Sequence, residues 1–216
     1  MYKLLSSLLL ILTISSCNVP YGRFSRYHDN GKRKAQVALL PIVNRSSMNF
    51  SWDVSEELSI GLKDALTRQA NIFVNNQTAD AMPLTINVRQ PDMQELKNLG
   101  PSEFVILTEL IDHQKIPYKR GQIKPVYPAD GRISYVLSIR ARIHVVDLRA
   151  DQPKTILHEI VHSNHLVPTQ IDKQSLDAKV WGEEAYPGTA IGLAHARLQR
   201  DLAARAENYI SVAKSY

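Results

Sequence analysis

"TILHEIVHSNHL", Thr155 to Leu166, is the stretch on which the fold turns. Within it His158-Glu159-Ile160-Val161-His162 spells H-E-x-x-H, the zinc-metalloprotease signature. On a helix, His158 and His162 would share one face, each ring nitrogen about 2 Å from a single metal ion. Glu159 would stand beside them as general base. On a strand, the two histidines stand about 13 Å apart and Glu159 points to the opposite face. The flanks favour the strand. Pro153 and Pro168 bound the stretch, Ile and Val are frequent in it, and it follows a long alternating segment across a short turn. The extended zincin pattern also fails, because His165 stands where Gly is needed and Pro168 where a third His is needed. Glu183 and Glu184 lie in a loop between Gly182 and Pro187. A zinc metallopeptidase with His158 and His162 as ligands and Glu159 as base is therefore the alternative reading. The main reading has no metal and no cofactor.

The preceding segment, Arg132 to Leu148, alternates. Ile133, Tyr135, Leu137, Ile139, Ala141, Ile143 and Val145 point one way, and Ser134, Ser138, Arg140, Arg142 and His144 the other. It reads as a long strand with one buried face, paired with the returning strand Lys154–Val167. In that hairpin His144 can approach His158 or His162, giving an imidazole pair sensitive to protons. Upstream, Gln36–Asn44, Ile72–Asn75 and Glu103–Ile111 read as strands, and Thr85–Val88 as a further short one. Asp53-Val54-Ser55-Glu56 is a capping-box pattern opening a helix to about Ala70. Its core stripe is Val54, Leu58, Leu62, Ala65 and Leu66, with Glu57, Lys63, Asp64 and Arg68 off that stripe. A short helix begins near Pro91 and ends before Gly100-Pro101. Gly188 to Ala213 reads as a long helix with the stripe Ile191, Ala194, Leu198, Leu202, Ala206, Tyr209 and Ile210, and His195 at its packing edge. The order β-α-β-(α)-β-β-β-α predicts a single-domain α/β (α+β) sandwich: a mixed, mainly antiparallel sheet with helices packed on it.

Two long loops interrupt this frame. Asp112 to Gly131 holds three prolines, two glycines and four basic residues, and reads as a hairpin loop or projection. Val167 to Pro187 is the second. Both contain aromatics, so Tyr118, Lys119, Arg120, Tyr127 and Trp181 are the candidate partner-binding residues.

The N-terminus, MYKLLSSLLLILTISSC, has one early charge at Lys3, a short apolar run and small residues before Cys17. This is the layout of a secretory signal peptide, and the run is too short for a mature membrane span. Ile14-Ser15-Ser16-Cys17 resembles the lipobox of bacterial lipoproteins. That resemblance implies removal of residues 1–16, a diacylglyceride on the Cys17 thiol and an acyl chain such as palmitate on its new amino group. Cys17 is the chain's single cysteine and can form no internal disulfide. Several acyl chains give stable anchoring where one does not. Asn18 after the Cys, in that family, points to the cell outer membrane.

The chain's formal charge is +5. The excess lies near the anchor. Residues 18–34 carry Arg23, Arg26, Lys32, Arg33 and Lys34 against Asp29, while residues 35–216 are balanced. That distribution argues against nucleic acid as a partner; the basic segment reads either as attracted to anionic head groups or phosphates or as a merely soluble linker. Residues 17–34 read as a lipidated Cys and flexible basic tether, reaching at most about 60 Å, and 35–216 as the globular domain.

"VALLPIVNRS", "SEELSIGLKDALTRQANIFV", "EFVILTEL", the hairpin "YVLSIRARIHVVDLRADQPKTILHE" and the closing Ala- and Arg-rich helix follow one another in order. This pattern resembles the domain shared by the curli-secretion lipoprotein CsgG, the penicillin-binding-protein activator lipoprotein LpoB and the N-terminal domain of TolB, over about residues 36–212. The resemblance implies a periplasmic assembly or regulatory module without catalysis. It further implies an envelope protein partner or a self-assembling oligomer in cell-envelope assembly, peptidoglycan-synthase regulation or secretion. CsgG's pore does not carry over, because a membrane hairpin needs an apolar lipid face that Asp112–Gly131 lacks. LpoB's long reach does not carry over either, because the tether is short.

Overall fold

The computed structural model describes residues 25–75, 87–118, 133–169 and 180–215. The strands are β1 Ala35–Leu39, β2 Val43–Asn44, β3 Ile72–Asn75, β4 Phe104–Pro117, β5 Ile133–Asp147 and β6 Lys154–Pro168. The helices are α1 Val54–Thr67, α2 Met93–Lys97 and α3 Ala190–Lys214, with a 3-10 turn at Tyr186–Gly188. The sheet order is β3-β1-β4-β5-β6, and β2 pairs beside β1 on β4. β3, β1, β2 and β4 run parallel, whereas β4-β5-β6 form an antiparallel meander. This is the α+β sandwich that the hydrophobic pattern predicts.

Residues 154–168 are a strand. Its side chains alternate: Leu157, Val161, Ser163 and Val167 are buried on the helix side, while His158, Ile160, His162 and Asn164 are exposed on the other. Glu159 points to the helix side and receives Nη1 of Arg205 from α3 at 2.5 Å. The zincin arrangement is therefore not formed, since the two histidines are two strand periods apart and the carboxylate lies across the sheet.

α1 and α3 cover one sheet face. Leu58, Leu62 and Leu66 of α1 and Leu198, Leu202 and Ile210 of α3 pack on Ile106, Leu137, Ile139 and Ile143. α1 begins where Asp53 accepts the amides of Ser55 at 2.8 Å and Glu56 at 3.2 Å, so its first turn is capped as predicted. It ends at Thr67, three residues before the expected Ala70.

Four expectations are corrected. The expected strand Gln36–Asn44 is broken at Pro41, which cannot donate to a ladder. β1 and β2 meet β4 one register step apart across that break: Val37 faces Phe104, but Val43 faces Glu109. Asn87 and Val88 lie in a turn and not in a strand, and Thr85 and Ile86 fall outside the described residues. The projection expected from Asp112 begins inside β4, since Asp112–Pro117 pair with β5 as far as Tyr135. Finally, Ser25–Lys34 are not a free tether. Tyr27 bridges Arg33, Lys34 N donates to Arg26 O at 2.9 Å, and Gly31 takes the positive φ of 77° that the turn requires. Arg26 lies over the Phe73 ring, and Lys214 Nζ donates to Arg33 O at 3.0 Å.

Among the described residues, the second sheet face is covered at one end only. Leu96 of α2, Leu99 and Val88 close over Ala38, Val105, Leu107 and Val146, forming a small second core. β5 is thus buried on both faces near Val146, where one buried face was expected.

Candidate functional site

The helix-covered face holds a buried polar chain that the pattern of α1 does not reveal. Glu57 is 4% exposed although it lies off the apolar stripe of α1, because α3 and the 3-10 turn close over it. Its Oε2 accepts Trp52 Nε1–H at 2.7 Å, and its Oε1 accepts Tyr186 O–H at 2.5 Å. His195 Nδ1 lies 2.8 Å from the same Oε1, and His195 Nε2 lies 3.0 Å from His113 Nε2 of β4. Burial pushes the Glu57 carboxyl up, but the hydrogen bond and charge of His195, then Tyr186 and Trp52, more than offset it, so it stays below the usual carboxylate range. Burial, and then His195, hold His113 down at about 3. Burial, and then Glu57, push the Tyr186 phenol well above its ordinary value. An ionised carboxylate can only accept, so the Nδ1–H of His195 donates to Glu57 Oε1.

A Glu-His-His chain could carry a proton, but its members are closed off from solvent. His195 and His113 are each 1% exposed and Tyr186 is 5% exposed. Phe50 and Trp52 stack edge-on over the chain, with centroids of Phe50 and His113 5.1 Å apart and of Trp52 and Tyr186 5.5 Å apart. Gly192 makes the turn's approach possible, because a Cβ there would sit 2.3 Å from Tyr186 O. The chain ties α1, α3, β4 and the turn together. His195 belongs to this interior and not to a packing edge.

Among the described residues, the other face is open beyond the second core and cationic. Leu107, His144 and His158 stand abreast on β4, β5 and β6, followed by Glu109, Arg142 and Ile160, then Asp112, Arg140 and His162. His144 and His158 stack with centroids 4.0 Å apart, the approach that hairpin pairing allowed. His144 is 4% exposed, and neither ring nitrogen has a partner among the described residues. Burial, then His158 and Arg142, hold it at about 4. Arg140 pairs with Asp112 at 3.0 Å. Glu109 is buried and receives three arginines, Arg142, Arg89 and Arg45. No three His, Cys, Asp or Glu side chains converge for a metal among the described residues.

Of the sequence candidates, Cys17, Lys119, Arg120 and Tyr127 lie outside the described residues. Tyr118, just beyond β4, and Trp181, in the turn before Tyr186, are half-buried. Sequence reasoning missed Glu57, His195 and the cluster around Glu109. One signal for the last was available: Glu109 is the acidic residue inside the apolar run FVILTELI, and Arg142 lies on the matching polar face of the neighbouring strand.

Fold and site together define a single-domain α+β sandwich with one helix-covered sheet face and one face that is open and cationic among the described residues. The chain belongs to the family of unknown function DUF7499, whose family model matches residues 23–214. No curated protein matches the sequence. Among solved structures it shares its fold with the hypothetical protein CT253 from Chlamydia trachomatis, at 21% identity and a TM-score of 0.60, covering 82% of this chain and 98% of that one. Two more remote likenesses bear on neither fold nor function. The PelC dodecamer from Paraburkholderia phytofirmans has 6% identity and a TM-score of 0.41, covering 78% of this chain and 86% of that one. Lipoprotein GNA1162 from Neisseria meningitidis has 13% identity and a TM-score of 0.40, covering 82% of this chain and 98% of that one.

Proposed function

We propose that this protein is a lipid-anchored, non-catalytic accessory module of the bacterial cell envelope, attached through Cys17 to the outer membrane and facing the periplasm. The observation that carries the reading is the lipobox-like Ile14-Ser15-Ser16-Cys17 behind a short apolar run, holding the chain's single cysteine. In this reading residues 1–16 are removed, and the sandwich is a CsgG/LpoB/TolB-N-like module that acts by binding. The packed hairpin at Ser25–Lys34 supports a close tether. Only seven residues separate Cys17 from Ser25, a reach of at most about 28 Å. A domain so held meets partners at its own membrane.

Crosslinking in intact cells, followed by mass spectrometry of what the native chain captures, tests this reading. A distinct envelope protein, lost when Cys17→Ser releases the chain from the membrane, is the expected result. A ladder of self-products would make the module an oligomer. Capture unchanged by Cys17→Ser would sink the anchored reading.

A further inference from the structure

Glu109 sits on the open sheet face with 3% of its side chain exposed. One cation suffices to compensate a buried carboxylate, yet three guanidiniums converge on this one. Arg142, from the neighbouring strand and 15% exposed, donates Nη1 to Oε2. Arg89 Nε lies 3.4 Å, and Arg45 Nε 3.7 Å, from the other oxygen, Oε1. The two Nε atoms are therefore no more than 7.1 Å apart, the sum of those distances.

Like charges so close repel, and the shared oxygen between them offsets that repulsion. Their backbones are fixed as well. Arg45 N donates to Leu110 O at 2.8 Å, extending the β2–β4 pairing. Arg89 N donates to Asn87 Oδ1 at 3.0 Å in a tight turn. The side chains of Arg45 and Arg89 are 66% and 61% exposed, so their forks face solvent while their roots are held. The next acid on this face among the described residues, Asp112, is engaged by Arg140. Glu109 with its three arginines thus carries a net charge of two positives. Guanidinium forks match the oxygens of a tetrahedral oxyanion, and two forks side by side can take one such group between them.

We propose that Arg45 and Arg89, set in place by Glu109 and Arg142, form a binding site for a phosphate group, free or carried on a lipid head group. The site stands apart from the buried Glu57 chain and does not depend on the anchor.

The test uses the full chain in neutral detergent at low ionic strength. Inorganic phosphate is titrated by calorimetry. Retention of phosphatidylglycerol is compared with that of uncharged diacylglycerol by native mass spectrometry. Replacing each arginine should weaken binding about tenfold, so Arg45→Gln with Arg89→Gln weakens it about a hundredfold. The melting temperature should move little, since both side chains are largely exposed. Arg45→Lys with Arg89→Lys keeps the charge without the fork and should bind between the two. This pair carries the test if the Gln pair fails to fold. Arg149→Gln, whose arginine pairs with Asp147, should bind as the native chain does. Inorganic phosphate binding, with phosphatidylglycerol retained no better than diacylglycerol, assigns free phosphate. Preferential retention of phosphatidylglycerol, lost in the Gln pair, assigns the head group. The proposal is overturned if neither ligand binds, or if the folded variants bind as well as the native chain.

Discussion

Mild acid should destabilise this fold, and the size of the effect can be worked from two imidazoles. His113 and His144 are buried on opposite faces of the sheet, with pKa values held at about 3 and about 4. In the unfolded chain each titrates near 6.5. A group whose folded pKa is depressed in this way takes up protons first in the unfolded state. Its stabilising contribution is full above pH 6.5 and is lost as pH falls towards the folded pKa. Between pH 7 and pH 5 each histidine costs about 2 kcal/mol, roughly 4 kcal/mol for the pair. That is a large share of the roughly 5–15 kcal/mol that holds a domain together. His165, lowered by burial and then Arg197, acts in the same direction. Urea denaturation at pH 7, 6 and 5 measures the slope. His144→Phe provides an internal check, because it keeps the stack on His158 while removing two buried nitrogens that lack partners among the described residues. It should raise stability at pH 7 by about 1 kcal/mol and halve the acid loss. Stability equal within 1 kcal/mol at pH 7 and pH 5, or an acid loss unchanged in His144→Phe, would refute the reasoning.

Other variants probe the remaining contacts. Glu57→Ala strands three buried donors, from Trp52, Tyr186 and His195, and should cost about 3–5 kcal/mol by thermal denaturation. Glu57→Gln should cost less, since its amide can face Tyr186 and a retautomerised His195. Gly192→Ala drives a methyl against Tyr186 O and should lower the melting temperature while shifting the tryptophan fluorescence from Trp52, which packs on Tyr186. Glu159→Gln removes only a partly exposed ion pair with Arg205. It should cost under about 1 kcal/mol and abolish no peptidase activity in a casein assay; loss of such activity would restore the zincin reading.

The fold was legible where burial is one-sided. β5 and β6 alternate because one face meets α1 and α3 and the other is, among the described residues, largely open, so period two alone separates Leu157 and Val161 from His158 and His162. The same logic failed where tertiary contacts override periodicity. Glu57 lies off the apolar stripe of α1, and only the closure of α3 and Tyr186–Gly188, more than a hundred residues away in sequence, buries it. Asp112–Pro117 look like loop, with a proline and few apolar residues, because beyond the buried His113 the exposed Gln114–Pro117 leave the core and are held by pairing with β5. The hairpin at Ser25–Lys34 has no apolar period at all. It is held by backbone pairing and by Arg26 on Phe73, which composition does not encode.

The central claim, a lipid-anchored envelope module, is tested most directly by the mass of the N-terminal peptide of the membrane-purified native chain. The expected result is a peptide beginning at Cys17 and carrying a thioether-linked diacylglyceride and an acylated amino group, absent in Cys17→Ser. A free thiol at Cys17, or Met1–Ser16 still attached, would contradict it.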